Sequence, residues 1–98
     1  MATTKLGKPT GAMVFKFTRS ALLAGVDEGE VEETLNRWLD GSLEVPFTKD
    51  ELVKKQQQTK GTKPMRNDVL CAACLAACCW WTVCDPGCMA ACAASACA

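Results

Sequence analysis

The chain is expected to be mostly α-helical, with a short β-strand near its N-terminus, a flexible polar linker and a Cys/Ala-rich tail that reads as a helical hairpin. Three observations predict this. Apolar residues recur at helical spacing behind capping residues between Asp27 and Gln57, residues alternate in twos from Met13 to Arg19, and cysteines recur at i+4 on both sides of Asp85-Pro86-Gly87. Ninety-eight residues make at most one small domain, with little stability to spare unless crosslinks hold it. Much of the free chain is accordingly expected to be disordered.

Residues 1–11 are polar, with Gly7, Pro9 and Gly11, and read as a mobile end. From Ala12 to Arg19, alternation places Met13, Phe15 and Phe17 on one side of a strand and Val14, Lys16 and Thr18 on the other. A lone strand leaves its backbone unpaired, so this one must add to another chain, pack irregularly, or turn helical. Ser20 can cap a brief apolar turn, Ala21 to Ala24, which Gly25 ends. Asp27 stands three residues before Glu30, the spacing of a capping box, and five acids from Asp27 to Glu33 favour the positive end of a helix dipole. Val31, Leu35, Trp38 and Leu39 then form one apolar stripe, and Gly41 is a stop. After Pro46, Thr48 and Glu51 repeat the capping spacing and open a second helix to about Gln57, able to pack on the first as a hairpin. Lys54 to Asp68 has almost no apolar content and reads as a linker.

Lys plus Arg equals Asp plus Glu at 11 each, so no global field favours nucleic acid or an anionic membrane surface. The charges are nevertheless segregated, because Asp85 is the only one after Cys71. There is no histidine, which removes the commonest general base, and the acids cluster at helix starts, so no enzymatic activity and no cofactor are expected. The most apolar early stretch is broken by Lys16 and Arg19, unlike a secretory signal, and residues 69–83 are too short for a stable membrane span. The chain is expected to be made in the cytoplasm with its thiols reduced.

All eight cysteines, Cys71, Cys74, Cys78, Cys79, Cys84, Cys88, Cys92 and Cys97, fall in the last 28 residues. Antiparallel helical arms joined at Asp85-Pro86-Gly87 would bring Cys79 near Cys84, Cys78 or Cys74 near Cys88 or Cys92, and Cys71 near Cys97. Four readings stay open. Cysteine can be a small buried residue in ordinary packing. An even count suits a disulfide scaffold, here a stapled α-hairpin, for which eight cysteines allow on the order of a hundred pairings. Cys71-Ala-Ala-Cys74 and the i, i+4 thiols could hold a soft metal ion, although no metal is called for by a second CxxC. Finally, the thiols can be nucleophilic handles on which other enzymes act, with alanines as spacers.

The division into a charged N-terminal part and a cysteine-rich tail resembles a precursor of a ribosomally synthesised, post-translationally modified peptide. The cluster CAACLAACC resembles sactipeptide cores, in which sulfur is joined to a backbone α-carbon, although here both arms carry cysteine. The resemblance covers the whole chain and implies a flexible N-terminus at 1–11, a leader at 12–58, a linker at 59–68 and a core at 69–98. It implies that the eight cysteines are modified, as thioether crosslinks or azol(in)e rings, to give a product such as a bacteriocin. Lanthionine rings would have only Thr82 and Ser95 as acceptors. The implied partners are a modifying enzyme with a peptide-recognition domain, a leader protease and an exporter, with the mature peptide secreted. Leader recognition would fall on the strand Met13, Val14, Phe15, Lys16 and Phe17, added to the enzyme's sheet edge, and on Val31, Leu35, Trp38 and Leu39.

Overall fold

In a computed structural model, which describes residues 3–58 and 67–97, the chain is mostly helical with one short strand pair. The strands are β1, Thr4–Lys5, and β2, Glu44–Val45, antiparallel with Thr4 opposite Val45. Leu6 extends the pairing by donating its N–H to the Leu43 carbonyl at 2.9 Å, and its side chain is buried. The expectation that residues 1–11 form a mobile end is thereby corrected for this stretch. The burial of Leu6 and the strand bonds act together to tie the arm down.

The strand expected at Met13 to Arg19 is instead part of helix α1, Gly11–Leu23. A helix satisfies its own backbone, which a lone strand cannot. The helical spacing is in the residues as well: Met13, Phe17, Ala21 and Ala24 lie on the inner face, Phe17 and Ala21 fully buried, while Phe15 is turned outward. Thr10 caps the start by accepting the Met13 N–H at 3.2 Å. At the other end Gly25 adopts φ +82°, with Gly25 N–H donating to Leu22 and Val26 N–H to Ala21, so a glycine in left-handed conformation closes the last turn.

Helix α2, Glu28–Leu39, begins behind Asp27 and ends before Gly41 as its residues imply, but the expected capping box is not closed, because the Asp27 N–H donates to Asp68 and Glu30 accepts from Thr34 instead. Asp27 accepts the Gly29 N–H at 3.0 Å, Arg37 pairs with Glu33 at 2.7 Å one turn apart, and Gly41 at φ +79° ends the helix with the bond pattern of Gly25. Beside it, the Ser42 hydroxyl and the Ser42 N–H hold the Asp40 carboxyl below the usual carboxylate range. Helix α3, Lys49–Gln58, is capped by Thr48 as expected, its hydroxyl accepting the Glu51 N–H and donating to the Glu51 carboxylate. The hairpin of these two helices is corrected by what they rest on, since both lie against the tail helix α4, Asp68–Thr82.

Asn67 caps α4 by accepting the Val69 and Leu70 N–H groups, so its start falls just inside the segment read as linker; residues 59–66 lie outside the described residues. The chain then reverses at Val83 and Cys84, both at positive φ, 55° and 58°. Asp85-Pro86-Gly87, read as the turn, instead opens helix α5, Pro86–Ala94: Asp85 accepts the Cys88 N–H at 3.1 Å and Pro86 takes the first helical position. Proline there loses no helix bond, since that N–H has no intrahelical acceptor, and the same three residues therefore serve equally as turn or helix start.

Helix α4 is the centre of the molecule. All nine residues from Cys71 to Cys79 are buried, and α1, α2, α3, α5 and β2 all pack on it. One core cluster runs through both parts of the chain, from Leu6, Phe17, Val31, Trp38, Val45 and Phe47 to the cysteines. Phe17 and Trp38 meet edge to face at 5.5 Å between centroids.

Candidate functional site

A helix places residues three, four and seven apart on one face, and α4 carries Cys71, Cys74 and Cys78 at those spacings, with Cys79 beside them. Its partner α5 carries Cys88 and Cys92 one turn apart. The antiparallel arrangement joins them in order, with Cys79 to Cys84 at the reversal, then Cys78 to Cys88, Cys74 to Cys92, and Cys71 to Cys97 at the far end. The Cα atoms of the last three pairs are 5.8, 5.9 and 4.7 Å apart, within the ordinary reach of a disulfide. Cys97 reaches Cys71 because the chain folds back after α5, its N–H donating to the Cys92 carbonyl at 3.0 Å and the Ser95 hydroxyl donating to Ala91 at 2.7 Å. The neighbours expected from spacing are the ones joined, and the choice left open for Cys74 and Cys78 falls to Cys92 and Cys88.

At the middle of this ladder the sulfurs crowd. Cys78 Sγ lies 3.3 Å from Cys92 Sγ, across two adjacent rungs, and the Sγ atoms of Cys74, Cys78 and Cys92, all buried residues, lie within 4.8 Å of one another. At the reversal, the Thr82 hydroxyl donates to the Cys78 carbonyl and accepts the Asp85 N–H, fastening the turn that Cys79 and Cys84 staple.

The N-terminal part grips this ladder through residues of α1, α2 and the segments that flank the strand pair. Phe17, Val31 and Trp38, expected as recognition residues, are core residues beneath α4, whereas Met13, Val14 and Leu35 are half-buried. Phe15, Lys16 and Leu39 remain exposed, Phe15 at 66%. Gly7 packs flat on Trp80: a Cβ there would stand 2.5 Å from the indole Cη2. Phe47 meets Trp81 at 6.4 Å between centroids. The Asp68 carboxylate accepts the Asp27 N–H at 3.4 Å, linking the starts of α4 and α2. Nothing in the residues around Gly7 or Phe47 marked them as tryptophan contacts, because the indoles lie far away in sequence.

One outward face is also apolar. Phe15 and Leu23 of α1, with Val83 and Met89, border an open groove of about 580 Å³ that Lys16 and Arg19 rim. Among the described residues no helix is long and apolar enough to cross a membrane. No known protein family, no characterised protein and no solved structure matches the chain.

Proposed function

We propose that the chain is a precursor peptide, in which residues 3–58 form a folded leader and residues 67–97 are the part matured through their cysteines. The observation that carries this reading is the burial of α4 on every side. A helix apolar all round cannot stand alone in water, and here α5 covers one side while α1, α2, α3 and β2 of the charged N-terminal half cover the others. The leader thus acts as a removable coat as well as an address. The protein itself is read as a substrate and not as an enzyme.

Among the modifications open to the thiols, closure into four disulfides is the one the fold favours. Each sulfur faces another sulfur across the hairpin. Azoline formation would require each thiol to attack the carbonyl preceding it, and in α4 those carbonyls belong to the helical hydrogen-bond ladder. An enzyme installing rings or thioethers would therefore have to act on the tail before it folds. Docking of Met13 to Phe17 as a strand would likewise require α1 to unwind, so the exposed side of α1, with Phe15 and Lys16, is the better address for a maturation enzyme or exporter. Disulfides persist in oxidising surroundings, which suits a product made in the cytoplasm and secreted after the leader is cut.

Intact mass separates these chemistries. The oxidised chain should take up no alkylating agent before reduction and eight equivalents after it, regaining about two daltons per disulfide. A mass deficit that survives reduction would assign thioethers or rings instead. In the producing cell, the exported species should be a fragment beginning near Asn67. Export of the uncut chain as the final form would refute the precursor reading.

A further inference from the structure

We infer that the thiol form of the hairpin binds one soft d10 cation, Zn²⁺ or Cu⁺, through Cys74, Cys78, Cys88 and Cys92. Two residues one turn apart on α4 face two residues one turn apart on α5, which is how facing helices build a four-ligand site. Among the described residues, Cys74, Cys78 and Cys92 are the one group of three metal-capable side chains whose donor atoms converge, and Cys88 is bonded to Cys78. A tetrahedral thiolate centre has metal–sulfur distances of about 2.3 Å and hence sulfurs about 3.8 Å apart. Cys78 and Cys92, 3.3 Å apart and not bonded to each other, are already near that separation. With the two rungs as thiols, the pairs Cys74–Cys92 and Cys78–Cys88 must open to that separation by side-chain rotation, with α4 and α5 in place.

The surroundings select the ion. The chain has no histidine, and the two carboxylates of the tail, Asp68 and Asp85, sit at opposite ends of α4, away from the cluster. Among the described residues the converging donors are then all sulfur, a set that favours thiophilic ions over Mg²⁺ and Ca²⁺, which require oxygen. Binding moves no electrons: each coordinating thiol gives up its proton, so up to four protons leave as one ion enters. Ion and disulfides compete for the same four sulfurs. A bound ion would hold the two middle rungs open while Cys71, Cys79, Cys84 and Cys97 stay available for pairing. This inference stands apart from the precursor reading, since a leader and a disulfide product are possible whether or not an ion precedes oxidation.

The test uses the full chain, reduced with a dithiol that is then removed under nitrogen, and titrated separately with Zn²⁺ and with Cu⁺. Helicity is followed by circular dichroism, and metal content and protected thiols by mass after alkylation. One equivalent of either ion should be retained, with four cysteines protected and four alkylated, and the protected set should map to Cys74, Cys78, Cys88 and Cys92. The double variant Cys74→Ser/Cys92→Ser should bind at least about a hundredfold more weakly, and Cys71→Ser/Cys97→Ser should bind as the parent does. Retention of neither ion overturns the proposal, whether the reduced chain is helical or not. So does equal weakening in both double variants, or protection spread over all eight thiols.

Discussion

Helices α2 and α4 are similar in length and opposite in construction. Helix α2 is signed at both ends, by Asp27 and Gly41, and buries one stripe, Val31, Thr34 and Trp38, while its remaining surface carries glutamates, Asn36, Arg37 and the exposed Leu39. Helix α4 is buried through nine consecutive residues and shows no stripe at all. The first owes its position to amphipathicity, the second to being surrounded and bridged. A helix of the second kind depends on its neighbours for solubility as well as for stability, which is why the N-terminal half and the tail share one core.

That dependence can be broken most severely at Trp38, fully buried under α4 and edge-on to Phe17. Trp38→Ala should cost about 3–5 kcal/mol in urea unfolding under non-reducing conditions. Loss of helix and the change in Trp80/Trp81 emission should occur in a single transition. Two separate transitions would mean that the halves fold independently. A smaller break is available at Gly7, where any side chain meets the Trp80 ring. Gly7→Ala should destabilise by about 1–3 kcal/mol, as overpacking does, and should alter indole emission. Unchanged stability and emission would remove the N-terminal arm from the clasp. The comparison can be sharpened in the opposite direction at Val83, which is 68% exposed and held at φ +55°. A β-branched residue in the left-handed region is strained, so Val83→Gly should raise stability by up to about 1 kcal/mol, read as a higher denaturation midpoint.

What could be read beforehand follows the same contrast. Caps and stops are local, so Asp27, Gly25, Gly41 and the Thr48–Glu51 pair announced themselves from neighbouring residues alone. The nesting of the cysteines is legible because helical spacing and antiparallel sense pair Cys79 with Cys84 and Cys71 with Cys97, whereas the partners of Cys74 and Cys78 depend on the register of α5 against α4. Met13 to Phe17 misled because an alternating pattern and one face of a helix share residues 13 and 17, and only the supply of partners decides between them. Asp85-Pro86-Gly87 misled because the residues of a turn are also those of a helix start. The burial of Leu6, Val45 and Phe47 depends on contacts with distant residues, and no local pattern encodes these.

The order of the four bridges has a topological consequence. Each pair encloses the next, from Cys71–Cys97 inward to Cys79–Cys84, and no bridge threads another. Closing from the reversal outward, every new link spans only a few residues beyond the one inside it, so the search for a mate stays short at each stage. The arrangement is that of a zip fastener: it can be drawn shut from one end without passing through a crossed pairing, and it can be undone from the other in the reverse sequence.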